Sequence, residues 1–97
     1  QLGEKLFALG RFAAALEQYE KAYEANPLPA FLFNIGQCHR NLGHFQQAAF
    51  SFRTYLRQSP SAEHHEAVES LIKDLEAKQR LADETERLAG RIDTPPG

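Results

Sequence analysis

The chain is short of most features that would mark it as a catalyst, a membrane protein or a nucleic-acid binder. It has a single cysteine, Cys38, so no internal disulfide can form, and that count leaves the redox compartment open. No apolar run approaches the ~18 residues of a membrane-spanning helix. Neither charge sign dominates: 11 basic and 13 acidic residues leave a net charge of −2, which provides no electrostatic footprint for nucleic acid or an anionic membrane. There is no P-loop, nucleophile elbow or glycine-rich phosphate loop. The four histidines and Cys38 lack zinc-like ligand spacing. His64 and His65 are adjacent and so diverge by about 100° on a helix, and Cys38 and His39 diverge in the same way. The reading is therefore of a chain with no catalytic residues, no cofactor and no metal. No signal peptide is seen, but the chain starts at Gln1 without methionine and reads as an excerpt, so that absence decides little.

The chain does have helical punctuation. Its 97 residues suit one domain with a modest core, and 42% of them are hydrophobic. The organising stretch is 29–60. Leu32, Ile35, Cys38 and Leu42 make one helical stripe, closed by Gly43. Phe45, Ala48, Ala49, Phe52, Tyr55 and Leu56 make a second, ended by Ser59-Pro60. Helices joined by so short a turn pack antiparallel. Gly36 and Ala48 are small enough to let the two come close.

Residues 1–27 repeat this plan. Gly3 and Gly36 are 33 apart, as are Gly10 and Gly43, Phe12 and Phe45, Ala15 and Ala48, Tyr19 and Phe52, and Pro27 and Pro60. A constant offset across six pairs is an internal repeat, the mark of a stacked helical array. The offset continues through Val68, Ile72 and Leu75, but Glu69 stands where the other copies have glycine, and no second helix of the same type follows. Residues 61–89 therefore read as a long capping helix with a polar outer face. The pairs Glu69–Lys73, Asp74–Lys78, Glu76–Arg80 and Asp83–Arg87 are in the favourable order to support it. Gly90 is expected to end it.

These segments resemble tetratricopeptide repeats, whose pattern runs W-x2-L-G-x2-Y, then A-x3-F, then P. The complete copy reads Leu32-x2-Ile35-Gly36-x2-His39, then Ala48-x3-Phe52, then Pro60. The first reads Leu2-Gly3-x2-Leu6, then Ala15-x3-Tyr19, then Pro27. Leu32 replaces the tryptophan and His39 the tyrosine, and the period is one residue short of the usual. The resemblance covers residues 1–60. It implies an all-α superhelical array: repeat one at 1–27, repeat two at 28–60, and a capping or extension helix at 61–89. Residues 90–97 are a linker or the start of a following domain. Helices are expected near 1–9, 12–25, 30–42, 45–58 and 61–89. Arg91 to Thr94 reads as the start of a strand, and the tail through Pro95-Pro96-Gly97 resembles in part the opening of a PEGA-type β domain. That resemblance leans towards a bacterial envelope context, and a plain linker is the alternative.

In tetratricopeptide arrays the first helix of each repeat lines a concave groove. Carried onto this chain, the groove-facing candidates are Phe7 on the first helix, Phe33, Asn34, Gln37, Arg40 and Asn41 on the third, and Ser70 and Lys73 on the last. Phe7 and Phe33 lie off the apolar stripes of their own helices, which suits anchors for a partner. Apolar anchors beside amides and cations fit an extended peptide or helix from a partner protein. Of the family's clamp for C-terminal carboxylates only Asn34 is in place, Glu4 replacing one asparagine, so an acidic C-terminal peptide is disfavoured. The resemblance thus implies a non-catalytic protein–protein interaction module in a larger protein. The alternative is a structural unit that pairs with a second copy through the end of the array, with Leu81 and Leu88, seven apart, as the candidate oligomer contact.

Overall fold

The computed structural model describes residues 2–60 and 63–92. Five helices follow one another: α1 (Leu2–Ala8), α2 (Phe12–Ala25), α3 (Pro29–Asn41), α4 (Phe45–Gln58) and α5 (His65–Ile92). Each packs on the next, giving an elongated stack of 57 × 28 × 21 Å. The described residues contain no strand, and the fold is an all-α helical repeat.

The two intra-repeat turns use one device. Gly10 and Gly43 adopt φ of 76° and 78°, the only positive values among the described residues. Around Gly43, the His44 N–H donates to the His39 carbonyl at 2.8 Å and the Gly43 N–H to the Arg40 carbonyl at 3.2 Å. Around Gly10, Arg11 donates to Leu6 and Gly10 to Phe7, each at 2.9 Å. This is the Schellman pattern, which satisfies carbonyls that a helix end would otherwise leave without partners. The other stops are steric. Asn26 and Ser59 take extended φ of −151° and −135° because each precedes a proline. Pro29 opens α3, where its missing N–H costs nothing.

Two core clusters lie along the stack. Ala15, Tyr19, Ile35 and Cys38 join α2 to α3, with Leu6 and Phe7 of α1 against them. Leu32, Ala48, Phe52, Tyr55, Val68, Ile72 and Leu75 join α3, α4 and α5. Tyr23 touches both. The repeat glycines have a specific occupant. A Cβ at Gly36 would lie 2.7 Å from the Phe52 ring, and one at Gly3 would lie 2.9 Å from the Tyr19 ring. Gly36 thus makes room for an aromatic ring on the next helix of its own repeat, and Gly3 does the same.

α5 runs straight where α1 and α3 turn. Glu76 occupies the position equivalent to Gly43, and Glu69 the position equivalent to Gly36. Val68, Ile72 and Leu75 of α5 are buried in the core, and Leu71 packs against it. Arg53 of α4 pairs with Glu76. Of the four i, i+4 pairs expected, only Asp74–Lys78 is formed, at 3.1 Å. Glu69 pairs with His65, Glu76 with Arg53, Arg87 with Glu84, and Asp83 accepts from Gln79. An exposed i, i+4 pair is worth only ~0.2–0.5 kcal/mol, so a nearby competitor displaces it.

The limits of α5 also differ from those expected. Glu63 and His64 form a turn before the helix, and Gly90, Arg91 and Ile92 continue it. Glycine ends a helix by turning left-handed, and Gly90 keeps a negative φ. Arg91 and Ile92 are therefore helical and do not open a strand. The Pro95-Pro96-Gly97 motif lies outside the described residues.

Candidate binding surface

The third helix carries most of the candidate residues because its two faces are used differently. Leu32, Ile35, Gly36 and Cys38 are buried. Phe33, Asn34, Gln37 and Arg40 are half-buried, and Asn41 is exposed. Gln37 organises its neighbours: its side-chain oxygen accepts from Arg40 Nη1 at 3.5 Å, and its carbonyl accepts from Asn41 Nδ2 at 2.8 Å.

Phe33 does more than face outward. Its ring lies 5.5 Å from those of Phe52 and Tyr55 and 5.6 Å from that of His64. Tyr55 Oη and His64 Nε2 are 3.1 Å apart, a hydrogen bond across the α4–α5 turn. Together with Leu28, Pro29, Ala30, Asn34 and Ser59, these three side chains line a largely apolar cleft of about 510 Å³. Phe33 is its floor, packed on the core from one side and open on the other. Asn34 provides a donor and an acceptor at the rim. Spacing alone does not place His64 here, because it belongs to a turn where helical periodicity gives no direction.

The other candidates fall elsewhere. Phe7 packs edge-on against Phe12, with centroids 5.0 Å apart, and leans on the α2–α3 core. Ser70 and Lys73 line a smaller cleft of about 190 Å³ with Glu66 and Glu69. Leu81 is 67% exposed and Leu88 44%. Leu81, Ala82, Thr85 and Ala89 form an apolar cleft of about 530 Å³ with Phe45, bordered by Lys78 and Glu86. The Lys78 ammonium stands 6.0 Å from the centroid of the Phe45 ring.

Burial shifts several titrations. The Cys38 thiol is pushed up to about 11 by burial, with Glu20 adding to the effect. Tyr19 is raised by burial, then by Cys38 and Glu4. His39 is lowered by burial and then by His44. No three histidine, cysteine or acidic side chains cluster as a metal site among the described residues. No helix among them is long and apolar enough to cross a membrane.

A stack of glycine-windowed helical hairpins, with one face of its middle first helix lining a cleft, defines a helical-repeat binding scaffold. The family comparison agrees: a family model described as tetratricopeptide repeat matches residues 1–63. The chain belongs to the tetratricopeptide repeat family. Comparison with curated proteins and with solved structures returned no match. Tetratricopeptide repeats serve in general as protein–protein interaction modules and are typically non-catalytic, and this chain is a module of that general kind.

Proposed function

We propose that the chain binds an extended peptide or helix of a partner protein along the face of α3, as a non-catalytic module. The observation that carries this is the cleft over Phe33. An apolar floor, an amide at the rim and a guanidinium two turns along α3 form the combination that peptide grooves use: a pocket for an anchor and polar groups that fix orientation. Ser70 and Lys73 would extend the track onto α5.

The test is a peptide library screened against the immobilised chain, with hits measured by fluorescence anisotropy. Asn34→Ala with Arg40→Ala should weaken a genuine groove ligand at least tenfold. Both residues lie outside the buried core, so the variant stays folded. Hits that bind the variant as well as the parent chain would refute groove binding. Phe33→Ala is the poorer probe, because it also removes packing from Phe52 and Tyr55.

A second reading rests on the extension of α5. The apolar strip of Leu81, Ala82, Thr85 and Ala89 has a cation, Lys78, at one end and an anion, Glu86, nearer the other. Two such strips related by an antiparallel two-fold axis would set each Lys78 against the Glu86 of the second copy. On this reading the chain pairs with itself, and sedimentation should show a concentration-dependent dimer that Leu81→Glu with Leu88→Glu abolishes. A monomer at all concentrations would refute it.

A further inference from the structure

The α3–α4 turn holds a feature that peptide binding does not use. The Schellman pattern at Gly43 fixes residue 39 and residue 44 side by side through the 2.8 Å hydrogen bond from the His44 N–H to the His39 carbonyl. An apolar contact usually fills this place. Here both residues are histidine. Their Nδ1 atoms are 3.1 Å apart and their ring centroids 5.3 Å apart, at an interplanar angle of 45°. The matching turn at Gly10 puts Leu6 and Arg11 in the same backbone positions, so the geometry belongs to the fold and the chemistry to the second repeat.

We propose that His39 and His44 form a two-histidine site for a divalent transition-metal ion of the Cu²⁺, Ni²⁺ or Zn²⁺ class, clipped across the α3–α4 turn. The separation of the nitrogens supports this. Two imidazole nitrogens bound about 2.0–2.1 Å from one ion, at an angle of about 90–110°, lie roughly 2.9–3.4 Å apart. The observed spacing falls inside that range, so an ion could replace the shared hydrogen bond without backbone movement. Each ring would present its Nδ1 lone pair and carry its proton on Nε2. The ring that donates the hydrogen bond need only change tautomer.

The surroundings suit a neutral pair. His39 is half-buried, which disfavours its charged form. The nearest cationic side chain in sequence, Arg40, is directed to Gln37. No cluster of three histidine, cysteine or acidic side chains is present among the described residues, so water would complete the coordination. Borderline ions favour imidazole, and the Irving–Williams order puts Cu²⁺ ahead of Ni²⁺ and Zn²⁺. An unfolded chain does not hold the two rings at this spacing, so the ion would bind the folded hairpin selectively and stabilise it.

The experiment is calorimetric titration of the chain, free of any added histidine tag, with CuCl₂, NiCl₂ and ZnCl₂ near neutral pH, alongside thermal melts. Three proteins are compared: the parent chain, His44→Gln, and a control carrying His64→Gln with His65→Gln. His44 is exposed and outside both core clusters, and circular dichroism checks that each variant is folded. The expected result is one ion per chain, tightest for Cu²⁺. Affinity should fall at least tenfold in His44→Gln and hold in the control. Ion in hundredfold excess over Kd should raise Tm by roughly 10 °C or more in the parent chain and not in His44→Gln. The absence of saturable binding would overturn the proposal. So would binding that His44→Gln leaves unchanged, or binding lost only in the control.

Discussion

Gly36→Ala should destabilise the chain, although alanine is the better helix former. Intrinsic propensity alone favours the substitution by ~0.8–1.0 kcal/mol in a helix interior. The new Cβ, however, would stand 2.7 Å from Phe52 Cε1 and 2.9 Å from Cδ1 and Cζ. Phe52 is fully buried, and Phe33 packs on it with ring centroids 5.5 Å apart. The ring has no free volume to retreat into. Overpacking of this kind costs ~1–3 kcal/mol, so the net loss is about 1 kcal/mol, or ~4–8 °C in Tm for a domain of this size. Two comparisons isolate the cause. At Gly90 a Cβ meets nothing within 4 Å, so Gly90→Ala should be neutral or stabilising by roughly 0.5 kcal/mol. In a Phe52→Leu background, Gly36→Ala should lose its penalty, giving a coupling of about 1 kcal/mol or more in a double-mutant cycle. Urea denaturation followed by circular dichroism measures all of these. A Gly36→Ala chain as stable as the parent would refute the reasoning, because the glycine would then not be making room for Phe52.

Three further predictions concern other parts of the array. Cys38 is fully buried with its thiol pushed up to about 11 from 9.0; near pH 8 its thiolate fraction falls about a hundredfold, so alkylation of the native chain should be at least that much slower than of the denatured chain. His39 titrates below the ordinary 6.5 in the folded state because of burial and His44; the unfolded chain takes up its proton first, so the stability His39 contributes is present above pH 6.5 and falls away as pH drops through the lower folded value. Because burial is the larger cause and His44 the smaller, His39→Tyr should flatten the acid limb in pH-dependent melts, and His44→Gln should flatten it only in part. Leu81→Glu with Leu88→Glu replaces two exposed residues and should change the stability of the isolated chain by less than about 0.5 kcal/mol in a denaturant titration; a larger loss would mean that the Leu81 and Leu88 side chains themselves carry packing on their own array.

Much of the fold was legible because its repeat is written in small residues. The 33-residue offset marked the glycines and their aromatic partners, and α2 and α4 fall on the expected 12–25 and 45–58. Legibility fails where residue type stops dictating conformation. Gly90 has the same identity as Gly10 and Gly43 but is not left-handed, and the helix continues through it to Ile92. The ion pairs of α5 were misassigned because sequence spacing cannot see Arg53 arriving from α4. In the candidate surface, spacing put Phe33 on the outer side of α3 but gave no sign that Tyr55 and His64 would wall it. Helix periodicity likewise gives no sign that His39 and His44 meet, because their adjacency depends on the left-handed turn between them.

The form of the third copy follows from which parts of the repeat persist in α5. Val68, Ile72 and Leu75 keep the apolar stripe that meets α4, so the third copy docks as a first helix should. Glu69 removes the window a following aromatic ring would need, and Glu76 removes the left-handed turn that would bring that ring back. Glu76 pairs instead with Arg53, and Glu69 with His65. Each change alone would weaken a third hairpin. Together they make the same position in the stack one long helix, α5, with charged residues on its outer face, where the earlier copies form a hairpin. The cost of forming a hairpin at this position is therefore set by two carboxylates, while α4 contacts α5 through the same kind of apolar residues that join α3 to α4.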